Sequence, residues 1–168
     1  MSHPIQFFSV SDAESIGRVE TLAGRIWREH YTPIIGEAQV EYMLEKFQSR
    51  QAISKQIGQG NLYYLVRDAR GEDMGYLGVV PRAKELFLSK VYLTAEHRGK
   101  GYGRQALAFI EKLAKEKKLG KMTLTVNKHN GEAIRAYQRA GFKIVEAVLT
   151  DIGNGFAMDD YKMEKAVP

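Results

Sequence analysis

The chain has 168 residues, 44% of them apolar, no cysteine and a formal net charge of +5 at pH 7. Such a length and apolar fraction predict a single domain that buries a core without staples, and the missing cysteine excludes a disulfide framework, a thiolate zinc site and a catalytic thiol. The positive excess is modest, and the densest basic run, Lys112 to Lys121, falls along an amphipathic helix and its exit turn, where lysines form a solvated face.

The amino terminus from Met1 to Phe8 has neither a basic start nor a long apolar run, and no later stretch has the length of a membrane span. A cytoplasmic protein without a membrane partner is expected. His3, His30, His97 and His129 stand at no ligand spacing, so no metal is assigned. Ile5 to Val10 predicts a short strand, and Ser11-x-x-Glu14 has the form of a capping box that opens a helix carrying Ile16, Val19, Leu22, Ala23, Ile26 and Trp27 on one face. Tyr31 to Gly36 should interrupt that helix. Val40, Met43, Leu44 and Phe47 mark a second helix, and Ile53 with Ile57 a third.

Asn61 to Arg67 and Met74 to Val80 predict two strands of a hairpin joined by Asp68 to Asp73. Pro81 should stop the second, and the turn Arg82 to Glu85 leads into another strand, Leu86 to Leu93. A helix is expected from Gly103 to about Lys117, with Gly120 in its exit turn, followed by a strand through Met122, Leu124 and Val126. Asn130 suits the cap of a helix through Ala140, and Gly141 its left-handed end. Phe142 to Leu149 and Phe156 to Met163 predict two last strands separated by Asp151 to Gly155. Hairpins give antiparallel neighbours and the strand-helix-strand crossover a parallel one, so the order implies an α/β fold around a mixed sheet.

The chemistry concentrates in Leu93-Thr-Ala-Glu-His-Arg-Gly-Lys-Gly-Tyr-Gly-Arg104, which follows a strand and opens a helix. Glycines at Gly99, Gly101 and Gly103 let the backbone approach a ligand and turn consecutive N–H groups toward it, while the helix start and the cations Arg98, Lys100 and Arg104 supply positive potential. Such a site suits phosphate. Gly101-x-Gly-x-x-Ala106 formally satisfies a dinucleotide fingerprint, but the next strand ends in Asn127, Lys128 and His129 rather than the acid that would hold a ribose. No Gly-Lys-Ser/Thr follows the glycines, which excludes a P-loop.

Arg98-Gly-Lys-Gly-Tyr-Gly103 resembles the pyrophosphate loop of the GNAT superfamily of acetyl-CoA-dependent N-acetyltransferases. Asn130-Gly-Glu-Ala-Ile-Arg-Ala-Tyr-Gln-Arg-Ala-Gly-Phe142 is similar to a second segment of that family, one strand downstream. The resemblance implies a single-domain GNAT-like α/β fold, with a mixed, mostly antiparallel central sheet of six to seven strands flanked by helices. It implies acetyl-CoA as co-substrate. Main-chain groups of Val91, Tyr92 and Leu93 would pair with the pantetheine arm, amides of Arg98, Gly99, Lys100, Gly101, Tyr102, Gly103 and Arg104 would hold the pyrophosphate, Asn130 would hydrogen-bond the cofactor as well as cap its helix, and Tyr137 would act as general acid near the sulfur.

An amine with pKa near ~10 is almost wholly protonated at pH 7 and needs a base before it can attack. Many family members place a carboxylate on the strand before the loop, whereas Leu86 to Leu93 holds none, with Glu85 and Glu96 at its two ends. Glu29, His30, Asp159 and Asp160 are the candidates. Trp27 to Tyr31 and Asp151 to Lys165 faintly resemble family members acting on polyamine-like amines, so a small-molecule amine acceptor is expected, with a protein N-terminus or lysine, an aminoglycoside and an amino acid as the alternatives. A homodimer stays open. A non-catalytic CoA-binding module is the competing class, and a nucleic-acid partner is not expected because no recognition helix or aromatic strand accompanies the basic surface.

Overall fold

The computed structural model describes residues 4–168, so Met1 and His3 lie outside the described residues. The elements follow the predicted order: β1 (Gln6–Ser9), α1 (Ala13–Ile35), α2 (Glu37–Phe47), α3 (Arg50–Gly58), β2 (Leu62–Arg67), β3 (Asp73–Pro81), β4 (Glu85–Leu93), α4 (Tyr102–Glu116), β5 (Lys121–Asn127), α5 (Gly131–Arg139), β6 (Lys143–Gly153) and β7 (Phe156–Ala166). The cap of α1 is Asp12 rather than Ser11. Its carboxylate accepts from the Ser15 N–H at 2.8 Å, because an ionised acceptor at a helix N-terminus gains from the dipole as well as from the bond.

The expected break from Tyr31 to Gly36 does not occur until Gly36. Pro33 sits in the last turn of α1, where its missing N–H costs one backbone bond near an end that frays anyway, and the Gly36 N–H closes the helix on the Thr32 carbonyl at 3.0 Å. The apolar face runs as predicted through Ile16, Val19, Leu22, Ala23, Ile26 and Trp27, and the uninterrupted helix adds Tyr31 to it. β6 and β7 are each longer than expected. They meet at Asn154-Gly155, whose φ values of 55° and 80° are those of the tight hairpin turn that matches strand twist.

Among the described residues the sheet has 7 strands, in the order β1-β2-β3-β4-β5-β7-β6. Only β4 and β5 run parallel, bridged by α4, and the other neighbours are antiparallel. Helices α1 to α3 cover one face over Tyr63, Leu65 and Tyr76, while α4 and α5 cover the other over Leu77, Leu86, Leu88, Met122, Leu124 and Met163. β6 is an edge strand whose Leu149 is 73% exposed. No helix among the described residues is long and apolar enough to cross a membrane.

Two irregularities shape the centre of the sheet. β4 carries an extra residue, Ser89, between the pairs Val79–Leu88 and Gly78–Lys90. β4 also pairs with β5 only from Glu85–Lys121 to Leu88–Leu124. Beyond that point the two strands diverge, and the backbone groups of Val91, Tyr92 and Leu93 that face β5 have no strand partner there.

Candidate active site

The divergence of β4 from β5 opens a cleft of about 1000 Å³ that runs from the glycine-rich loop to the α1–α3 side of the sheet. Of the residues singled out in the sequence, Val91, Tyr92, Leu93, Arg98, Gly99, Gly101, Gly103, Arg104, Asn130 and Tyr137 line it. Lys100 and Tyr102 do not. Lys100 is exposed outside the cleft, and Tyr102 is buried among the residues under α4, its ring set against His97 at 6.2 Å.

The loop takes its shape from Gly99 and Gly101, with φ of 73° and 85°, a region where a side chain is strained. Gly101 caps α4 without any side-chain acceptor, which leaves the first N–H groups of the helix unbonded by protein and directed into the mouth of the cleft. Arg98 is spent differently from expectation. Its amide bonds the Ala95 carbonyl at 3.3 Å and its Nε donates to the Leu93 carbonyl at 3.1 Å, so the side chain braces the end of β4.

Asn130 is 4% exposed and links two elements, α1 and α5. Its Oδ1 accepts from the Ala133 N–H at 3.5 Å, capping α5, and lies 3.2 Å from His30 Nε2; its Nδ2 donates to the Tyr31 hydroxyl at 3.2 Å. α1 and α5 are thus pinned together across the cleft. Tyr31 stacks on Trp27 at 4.4 Å, and both rings meet Tyr92 edge-on. Burial pushes the phenols of Tyr31, Tyr76, Tyr92 and Tyr137 upward, so all four are neutral hydroxyls at physiological pH. The Tyr137 ring also rests against Phe142 at 5.5 Å, part of the packing under α5.

The candidate bases separate cleanly. Glu29 is exposed and does not line the cleft. Glu85 pairs with the Thr123 hydroxyl and Glu96 with Arg25, both outside it. Asp159 holds Lys128 Nζ at 2.8 Å. His30 lines the cleft but is engaged with Asn130. Asp160 is 6% exposed and faces the cleft from β7, opposite Asn127 of β5. Burial, aided by the Asp159 charge and partly offset by Lys128, pushes its carboxyl up to about 6. A carboxylate so placed is ionised at neutral pH yet basic enough to take a proton.

Sequence inspection passed over Lys90, which lines the cleft from β4 at 5% exposure. Burial brings its ammonium down to about 8. The one available signal is a single cation inside a strand, Leu86 to Leu93, whose other residues are uncharged.

Residues 24–142 match the acetyltransferase (GNAT) family. Over 67 residues the chain is 34% identical to an uncharacterised N-acetyltransferase, YycN, of Bacillus subtilis; the match covers 40% of this chain and 43% of that protein, less than half of its length. Among solved structures, the PaiA N-acetyltransferase from Thermoplasma acidophilum in complex with coenzyme A is 23% identical, covering 99% of each chain with a TM-score of 0.81. A spermidine N-acetyltransferase from Vibrio cholerae, solved with CoA and spermine, is 16% identical over 97% of this chain and 95% of that one, with a TM-score of 0.70. At these identities the structural likeness establishes the fold.

Proposed function

The chain belongs to the GNAT family of acetyltransferases, and from that premise we propose that it is an N-acetyltransferase, a single catalytic domain that moves the acetyl group of acetyl-CoA directly to a primary amine. One observation carries the proposal: the strand edge left open after Leu88 connects the uncapped start of α4 to the buried carboxyl of Asp160 within one cleft. The N–H groups at the start of α4, with the loop amides from Gly99 onward, suit a pyrophosphate, and Arg104 adds charge at the same end. Main-chain groups of Val91, Tyr92 and Leu93 offer an extended ligand rich in amides the pairing that β5 does not.

The chemistry follows from the residues deeper in. Asp160 takes a proton from the incoming ammonium, and the freed lone pair attacks the thioester carbonyl carbon. The C–S bond then breaks as the tetrahedral intermediate collapses, and the Tyr137 hydroxyl, held neutral by burial, donates its proton to the departing sulfur. One C–N bond forms and one C–S bond breaks; Asp160 passes the first amine proton to solvent, and the second, lost from the nitrogen of the intermediate, passes through solvent to restore the Tyr137 hydroxyl, so the sum is amide, CoA thiol and one released proton. No acyl-enzyme is required of a chain that has no cysteine. The buried carboxyl facing the cleft favours catalysis over mere CoA binding, because its burial costs the fold stability at neutral pH, and groups shifted in this way cluster at functional sites.

A polyamine-like acceptor is a second reading, supported by the cleft carboxyl of Asp160 and by the fold shared with the spermidine N-acetyltransferase. The deciding assay is thiol release over a panel of amine classes, alongside melting curves with acetyl-CoA, NAD and ATP. A rise in melting temperature with acetyl-CoA is expected, since a ligand bound only by the folded state stabilises it by mass action. A rise with NAD or ATP and none with acetyl-CoA overturns the proposal.

A further inference from the structure

Lys90 stands just past the extra residue of β4, its side chain directed toward α3. Its Nζ donates to Gln56 Oε1 at 3.0 Å and to Ser89 Oγ at 3.4 Å, and lies over the Tyr63 ring at 5.1 Å. Every one of these partners is neutral. The Gln56 oxygen is shared besides, since the Tyr63 hydroxyl donates to it too. No carboxylate among the described residues comes within 4.0 Å of this ammonium, although burial makes an unmatched charge costly.

A second donor on the same side of the sheet is unmatched for its own reason. Trp27 Nε1 is a buried N–H that no acceptor meets in full hydrogen-bond geometry, although the Tyr76 hydroxyl lies near it, and Trp27 lines the same cleft from α1. The residues that α1, α2 and α3 contribute to the cleft include no acid; its lining carboxylates are Asp160, Glu132 and Glu111, on β7, α5 and α4. This lobe therefore presents donors and a cation, while the acid that would receive an amine lies on β7.

We infer that the amine acceptor carries, besides its amino group, an anionic group, carboxylate or phosphate, that pairs with Lys90. The inference rests on the N-acetyltransferase reading. The acceptor's ammonium is drawn to Asp160 and its anion to the α1–α3 lobe, so the substrate class is a small zwitterion. A polycation would set its distal ammonium against Lys90, and like charges in a desolvated cleft repel.

The test compares ω-amino acids, ω-aminoalkyl phosphates, n-alkylamines and α,ω-diamines over matched short chain lengths, using wild type and Lys90→Met, which keeps the stem and its packing. For wild type, an anion-bearing series should be preferred, and the choice between the first two series identifies the anion. In Lys90→Met the ratio of kcat/KM for the preferred zwitterion to that for the matched alkylamine should fall ~10- to 100-fold, the worth of a hydrogen bond to a charged group. Diamines preferred by wild type, or a ratio unchanged by the substitution, overturns the inference. Trp27, the chain's one tryptophan, gives a readout that needs neither turnover nor acetyl-CoA. Its emission should respond to the ω-amino acids or aminoalkyl phosphates, with at least ~10-fold weaker binding in Lys90→Met. A titration indifferent to Lys90 overturns the inference whatever the activity, whereas absence of any acetyl-CoA thermal shift and of thiol release counts against the enzymatic reading instead.

Discussion

Replacing Asp160 by asparagine should make the protein more stable and less active at once. The carboxyl is raised from 3.8 to about 6, chiefly by burial. A raised carboxyl favours folding while protonated and opposes it once ionised. Its contribution is fully present below pH ~4 and is lost as pH rises through ~6. The interval corresponds to about 3 kcal/mol. This is an upper bound, because the replacing amide is desolvated in the same place. In a domain of this size it equals a melting-temperature gain of up to ~6–12 °C at pH 8. Urea denaturation of wild type and Asp160→Asn at pH 4 and pH 8 measures it, with the two proteins nearly equal at the lower pH and separated at the higher. In turnover, wild-type kcat/KM should rise with pH through ~6, and the variant should lose both that limb and ~100-fold or more of rate. A variant less stable than wild type at pH 8, or one with unaltered kcat, would refute the assignment of Asp160 as a strained catalytic base.

Tyr137→Phe keeps the ring and its contact with Phe142 but removes the proton donor, so kcat should drop ~10- to 1,000-fold with acetyl-CoA affinity and melting temperature nearly unchanged; a loss confined to stability would make Tyr137 a core residue. Gly101→Val should abolish the acetyl-CoA thermal shift, since φ of 85° is closed to a β-branched residue and the side chain would stand where the phosphates approach. Asn130→Ala removes the α5 cap together with the ties to Tyr31 and His30, and urea denaturation should register a loss of ~1–3 kcal/mol. Gly75→Ala should be destabilising by more than a usual surface change, because a Cβ there would lie 2.0 Å from the Tyr92 carbonyl oxygen in β4; its acetyl-CoA affinity, read by titration, should fall as β4 shifts.

Element type and order were legible because they rest on local patterns: the helical spacing from Ile16 to Trp27, the alternation of Met122, Leu124 and Val126, and the cap at Asn130. Where local signals competed, the outcome depended on context. Asp12 outdid Ser11 as a cap, and Pro33 stayed in its helix because it falls in the last turn. The loop was visible as glycines and cations, but the sequence does not say that Arg98 turns back to Leu93, or that Lys100 and Tyr102 point away from the cleft. Asp160 could be named only as one acid among several. Its burial depends on its place beside Asn127 of β5 and near Tyr31 of α1, both far away along the chain.

The least legible feature is also the one on which the site depends. Unbroken alternation along Leu86 to Leu93 would put Lys90 and Tyr92 on the same face as Leu86 and Leu88, under α4. The extra residue Ser89 reverses that parity, as one inserted residue does to every side chain beyond it. Leu88 therefore remains opposite Val79 in the α4 core, while Lys90 follows Gly78 and Tyr92 follows Tyr76 onto the α1–α3 face. Gly78 accommodates the reversal, since a Cβ there would already press on the Tyr63 ring at 3.3 Å. β4 and β5 lose their pairing at the same place, immediately after Leu88 and Leu124. One irregularity of a single residue thus coincides with both halves of the site: the free strand edge suited to an amide-bearing ligand, and the lysine and aromatic rings that line the lobe where the acceptor would lie. No spacing rule applied to the strand alone reveals it, because whether Ser89 is accommodated as a bulge is decided by its partner, β3, through the glycine at position 78.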